Sequence, residues 1–226
     1  MNRTGSFCDI EMLIRFDFAE SHQNINSPVP AKSPLDGDNY VLICALKQDD
    51  QSAAATLIAE AGKEFIAHDF KVVVLEIAPV DLEQPAILEE RLIGALARLQ
   101  EHGAKSITIL GHAQATPWAI WITTQLDVQA LICWSVIWDP VESESSLIFS
   151  SMLETLGRIE TPKLLFQGTA GISSAVEKIQ HLQADCSPPA FVTEMPDADV
   201  DFSYFYHRRQ VIRQTLIWLK RILMTY

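Results

Sequence analysis

Basic residues are scarce in this chain of 226 residues. Its 17 Lys and Arg face 29 Asp and Glu, a formal net charge of −12. Binding nucleic acid needs clustered cations for the phosphates, so that class is excluded. The negative surplus favours solubility and says nothing of fold. Long apolar runs are also missing. The longest are strand-sized, well short of the roughly 18–20 residues of a spanning helix. The N-terminal MNRTGSFCDIEMLIRFDFAES is broken by Asp9, Glu11 and Asp17, so it lacks the unbroken apolar stretch of a signal peptide. No transmembrane segment and a cytoplasmic location are the expectations. Cysteine is sparse: Cys8, Cys44, Cys133 and Cys186 form no CxxC pair and have no His at zinc-ligand spacing. Cys44 and Cys133 lie in apolar runs, where a free thiol behaves as a small hydrophobe. G-x-G-x-x-G is absent and no strand runs into a Gly-rich phosphate turn, which weakens a dinucleotide-binding reading. No internal repeat is found. No metal and no cofactor are expected.

What is present is a regular alternation. The composition, 48% apolar and 20% charged, suits one globular domain. Residues 10–18 partly alternate, with Met12, Ile14, Phe16 and Phe18 on one face of a strand. Residues 21–39 hold three Pro, three Asn and three Ser and read as a loop or flexible connection. Residues 1–39 are thus an N-terminal strand with a flexible segment, and 40–226 the main domain. There, YVLICAL (40–46), KVVVLEI (71–77), SITIL (106–110), QALICW (129–134), KLLFQ (163–167) and AFVTEM (190–195) read as strands. Helical stripes lie between them. Ala54, Leu57, Ile58, Ala61 and Phe65 share a face within 51–67, and Leu88, Leu92, Leu96 and Leu99 share one after Pro85. Gly103 is the expected stop of that second helix. Another helix starts near Ala115 or Thr116, a short one lies near 147–157, another spans 172–184, and the last runs from about 207 to 223. Strand–helix alternation implies right-handed βαβ units. The expected fold is α/β: a three-layer α/β/α sandwich around a mostly parallel sheet.

The most informative segment is Ile107-Thr108-Ile109-Leu110-Gly111-His112-Ala113-Gln114-Ala115. An apolar strand runs into G-H-A-Q-A and then a helix. This resembles the nucleophile elbow of the α/β-hydrolase superfamily, strand, G-x-S-x-G, helix. The small residues Gly111 and Ala115 suit the close approach of strand and helix. The nucleophile position holds Ala113, whose methyl group can neither attack a carbonyl nor accept a proton. The resemblance implies a triad Asp after a later strand, in a segment like H-G-T-x-D. Here that segment is Gln167-Gly168-Thr169-Ala170-Gly171, with Gly171 at the Asp position. It implies a His after the last strand, in a segment like P-G-A-x-H. Here that is Pro196-Asp197-Ala198-Asp199-Val200, with Val200 at the His position and His207 the next His downstream. The loop that carries an oxyanion donor in the family, Ala45-Leu46-Lys47-Gln48-Asp49-Asp50, has no glycine. The layout, with an Arg- and Trp-bearing C-terminal helix, resembles bacterial members of that superfamily. The resemblance therefore implies the fold with all three triad positions, Ala113, Gly171 and Val200, altered.

The same residues have plainer readings. G-H-A-Q-A also suits any tight strand-to-helix turn of a doubly wound fold. His112 and His207 are more often satisfied structural histidines than catalysts. Asp197, Asp199 and Asp201 could hold a cation through oxygens, but a solvated loop is the commoner case. Arg209, Arg213 and Lys220 form a basic outer face of the last helix, able to meet an acidic partner or simply solvated. Trp118 and Trp121 follow the elbow, and Trp134 and Trp138 end the next strand. Carboxyl ends of strands are where open α/β sheets place ligands. A pocket drawing on His112, Gln114, Trp118, Trp138 and His207 is one reading, core packing the other.

Three functions compete. The first is a non-catalytic hydrolase-fold protein that binds a small apolar ligand or another protein. The second is a hydrolase or esterase using other residues, such as His112, Gln114 or Asp199. The third is a structural interaction subunit. A homodimer is compatible with each.

Overall fold

The computed structural model describes residues 13–17, 39–101, 103–137, 152–170 and 190–225. In chain order these form β1 (Leu13–Asp17), β2 (Asn39–Leu46), α1 (Ala53–Ile66), β3 (Lys71–Ile77), α2 (Pro85–Glu101), β4 (Ser106–His112), α3 (Thr116–Thr123), β5 (Ala130–Trp134), α4 (Met152–Arg158), β6 (Lys163–Gly168), β7 (Ala190–Met195) and α5 (Phe205–Thr225). The helix expected at 172–184 and the polar residues 139–146 lie outside the described residues.

Local chemistry explains the element ends. The Ser52 hydroxyl caps α1 by accepting from the Ala55 N–H at 3.0 Å. Asp69 follows α1 with φ 66°, a left-handed conformation that Asp tolerates after a helix end. Gly103, at φ 80°, ends α2 in the conformation only glycine takes without cost. A 3₁₀ turn over Pro79–Glu83, absent from the sequence reading, precedes α2. Its Asp81 carboxylate accepts from Arg91 at 2.6 Å and fastens the turn to the helix.

The strands form one seven-stranded sheet in the order β1-β3-β2-β4-β5-β6-β7, and every pairing is parallel. β1 is thus an edge strand of the same sheet, in register with β3 from Leu13 opposite Val72 to Asp17 opposite Glu76. Because side chains alternate along a strand, the sheet feeds two cores. Tyr40, Leu42 and Cys44 of β2 join Leu88, Leu92, Leu96 and Leu99 of α2, Trp118 and Ala119 of α3, and Met152 and Leu156 of α4. On the opposite face Val41 and Ile43 join Leu57, Ile58 and Phe65 of α1, and Val211, Leu216 and Leu219 of α5. The helical stripes read from the sequence are the buried faces of α1 and α2. Each fully buried Leu or Phe contributes about 1.5–3 kcal/mol of burial free energy.

The connections set the place of the site. From β2 the chain crosses through α1 to β3 on one side. From β4 it crosses through α3, on the other face, to β5 on the other side. Where neighbouring strands send their crossovers apart, a crevice opens at their carboxyl ends. That point lies between β2 and β4, and Ala113 follows directly on β4.

Candidate functional site

The strand–elbow–helix geometry is present. β4 runs through His112, and Ala113–Ala115 form a single 3₁₀ turn that leads into α3. Ala113 has φ 50°, left-handed for a residue with a Cβ, and is nearly buried. Such a conformation costs about 1–2 kcal/mol and persists only where the surroundings impose it. Gly111, two residues earlier, is sterically confined. A Cβ there would sit 2.6 Å from the Ala119 Cβ and 2.8 Å from the Thr116 Cα. The small residue is needed against the first turns of α3, not against Ala115. Ala115 is itself fully buried in the α3-side core.

The turn after β6 and the loop after β7 are joined. Thr169 donates from its N–H to the Met195 carbonyl at 3.2 Å, and Ala170 to the Ala198 carbonyl at 2.9 Å. The Thr169 hydroxyl accepts from the Asp197 N–H at 3.0 Å. A Cβ on Gly168 would lie 2.3 Å from the Ala198 carbonyl oxygen, so only glycine fits there. Gly171, expected from the resemblance to stand at the Asp position, lies outside the described residues, as does Trp138.

His112 links this loop to the elbow. Its ring is buried, and Nε2 donates to the Val200 carbonyl at 3.2 Å. The Asp201 carboxylate lies 3.5 Å from the same nitrogen. Burial lowers the His112 pKa, and Asp201 and the Val200 carbonyl oppose that without reversing it. The ring is therefore neutral near pH 7. Of the acids in this loop, Asp201 partners His112. Asp199 instead accepts from the Ser203 N–H at 2.8 Å. Burial pushes the Asp199 carboxyl up, but hydrogen bonds from Ser203 and Asp201 and the neighbouring His207 more than offset it and hold it below the usual range. His207 sits in the first turn of α5, buried, with its ring 3.8 Å from that of Tyr206 and its Nδ1 unpartnered. No group of three or more metal-ligating side chains occurs among the described residues.

The remaining expected residues separate. Gln114 is exposed beside the apex. Trp118 is buried in the α3-side core, edge-on to Trp121 at 6.3 Å. Trp134 is fully buried on the opposite face, where its Nε1 donates to the Thr215 hydroxyl at 3.1 Å. After β2, the Lys47 N–H is spent on the Ile77 carbonyl at 2.8 Å, and Asp49 closes its own turn by accepting from the Gln51 N–H at 3.0 Å. Burial pushes the Cys44 thiol up to about 12 and Cys133 further still, so neither is a nucleophile at ordinary pH.

One site residue escaped sequence reading. Ser135, just past β5, has φ 56°, is fully buried, and its hydroxyl has no partner. Nothing in its one-dimensional context, Cys-Trp-Ser-Val, signals a left-handed backbone.

No family model and no curated protein matches this sequence. Solved structures do match. The esterase domain of a Rhodothermus marinus protein superposes with a TM-score of 0.61 at 14% identity, over 83% of this chain and 90% of that one. An esterase of Pyrococcus furiosus gives 0.62 at 12% identity, over 82% of each chain. A monoacylglycerol lipase of Paleococcus ferrophilus gives 0.61 at 14% identity, over 82% of this chain and 96% of that one. The chain has the α/β-hydrolase fold. No helix among the described residues is long and apolar enough to cross a membrane.

Proposed function

We propose that this hydrolase-fold protein acts by binding, without the acyl-transfer chemistry of the standard triad. The observation that carries the reading is Ala113 at the strained apex, φ 50°, where a nucleophile would stand. A methyl group there forms no acyl-enzyme. Val200 at the His position supports it further, because its carbonyl receives the His112 N–H. A small neutral molecule or a protein segment entering at the carboxyl ends of β2 and β4 is the partner this geometry favours. The experiment is exposure to a fluorophosphonate probe together with p-nitrophenyl esters of several chain lengths. Neither covalent labelling of a serine nor turnover above a heat-killed control is expected, and either one sinks the reading.

A second reading is a hydrolase with displaced machinery. It is favoured by the names of the structural neighbours, which are esterases and a lipase, and by the His112–Asp201 approach of 3.5 Å. A neutral imidazole beside a carboxylate is a base with its orienting group, able to draw a proton from water. In this reading Asp201 takes the role first assigned to Asp199. His112→Ala would abolish any turnover found.

A further inference from the structure

We propose that the carboxyl edge of β4, β5 and β6 holds a site for a neutral hydrogen-bonding group of the carboxamide or alcohol class, held by the Ser135 hydroxyl and the Gln167 amide oxygen. The inference rests on the binding reading above and gives its ligand a chemistry.

Two independent observations meet at this edge. The first is strain. Among the described residues, the non-glycine positions with left-handed backbone are Asp69, Ala113, Ser135, Asp197 and Phe202. Asp69 merely ends a helix, whereas the other four lie at the carboxyl ends of β4 and β5 or in the loop after β7. Backbone strain of this kind concentrates at ligand clamps and active sites.

The second is unmet hydrogen bonding. Ser135 Oγ, Gln167 Oε1 and Thr116 Oγ1 are buried without a partner, and all three residues are fully buried. A buried polar atom left unpaired costs about 1–3 kcal/mol, so such groups call for a ligand or water. The sheet register puts them together. His112 stands opposite Trp134, and Trp134 opposite Phe166. One residue further on, Ser135 falls between Ala113 and Gln167. The ladder continues there, because the Ser135 N–H donates to the Phe166 carbonyl at 2.8 Å. Gln167 alternates with Phe166 and so shares the α3 face with Leu165, the face on which Thr116 opens α3.

The chemistry of the ligand follows from the donors and acceptors. The Gln167 Nε2 is occupied by the Gly168 carbonyl at 3.3 Å, which leaves Oε1 as the free atom. An amide oxygen only accepts, so the ligand must bring an N–H or O–H. The Ser135 hydroxyl can donate to the ligand's own oxygen. Acids on the β7 loop, Asp199 and Asp201, disfavour an anion, and the full burial of Ser135 and Gln167 disfavours a ligand charge of either sign.

Titration by NMR with butyramide, butyrate and butylamine tests the site. These differ little in size and differ in charge. Saturable binding of butyramide is expected, with the two ions at least about tenfold weaker, and with about tenfold loss in Ser135→Gly and in Gln167→Met. Glycine accepts the left-handed backbone at 135 and removes the small hydroxymethyl group that carries the hydroxyl, so Ser135→Gly decides alone if Gln167→Met does not fold. Butyrate or butylamine binding as tightly as butyramide, unchanged affinity in Ser135→Gly, or no saturable binding overturns the site. Butyramide binding with the expected pattern upholds it even if the protein hydrolyses esters. Absent binding in a protein that hydrolyses none removes this inference and leaves the non-catalytic reading intact.

Discussion

His112 donates to the carbonyl of Val200 across 88 positions of sequence, at 3.2 Å, and so ties the end of β4 to the loop after β7. The Asp201 carboxylate lies 3.5 Å from the same nitrogen.

Protonation of His112 should cost stability, because the ring would carry its charge in a buried position. Burial lowers the folded-state pKa of His112 below its ordinary 6.5. Between those two values the unfolded chain holds more protons than the folded one, so stability falls as pH drops. The His112 contribution is fully present above about pH 6.5 and is lost as pH falls toward the lowered value. Asp199, held below its ordinary 3.8, adds a loss of the same sign in a more acidic window. Urea unfolding between about pH 7 and pH 5 should show a shallower decline for His112→Gln than for the natural protein. Equal slopes would remove His112 as the cause.

Three glycines should respond in opposite directions. Gly111→Val brings a Cβ within 2.8 Å of backbone and 2.6 Å of Ala119, and should cost about 2 kcal/mol or more. Gly168→Ala meets the Ala198 carbonyl at 2.3 Å and should cost at least about 2 kcal/mol, since backbone on both sides must shift. Gly94→Ala, exposed within α2 with nothing within 4 Å, should stabilise by about 0.5–1 kcal/mol. Chemical denaturation of the three variants checks the order.

At the apex, residue shape should matter more than polarity. Ala113→Ser should change stability by less than about 0.5 kcal/mol, while Ala113→Val, β-branched at φ 50°, should cost about 2 kcal/mol. Ala113→Ser should also stay far below a turnover of about 1 per second on p-nitrophenyl esters. In the binding reading proposed above, Val200 stands at the His position and supplies no base. Turnover at that level would reveal a base in reach of the apex.

The bond from Trp134 to Thr215 pins α5 to the sheet. Thr215→Val keeps the shape and leaves the buried indole N–H unpaired. A loss of about 1–3 kcal/mol is expected. Thermal unfolding of that variant should show it, together with a shift in tryptophan fluorescence.

By itself the sequence determined the strands and most of the helices among the described residues, and their order. Two-sided apolar strands such as VLICAL and VVVLEI, and stripes such as Leu88, Leu92, Leu96 and Leu99, mark elements because periodicity is local and burial acts through it. It also determined the absence of a hydroxyl at 113, since a side chain's chemistry needs no neighbours. Tertiary structure alone decided the rest. Whether Gly111 faces Ala115 or Ala119 depends on how α3 packs, and the answer is Ala119 and Thr116. That Asp201 and not Asp199 meets His112 depends on a loop whose left-handed turns at Asp197 and Phe202 no local pattern announces. Ser135 and Gln167 lie 32 positions apart, and only the parallel register of β5 with β6 puts them side by side. Contacts between distant segments are set by the sum of many weak packing terms, and that sum cannot be read from either segment alone.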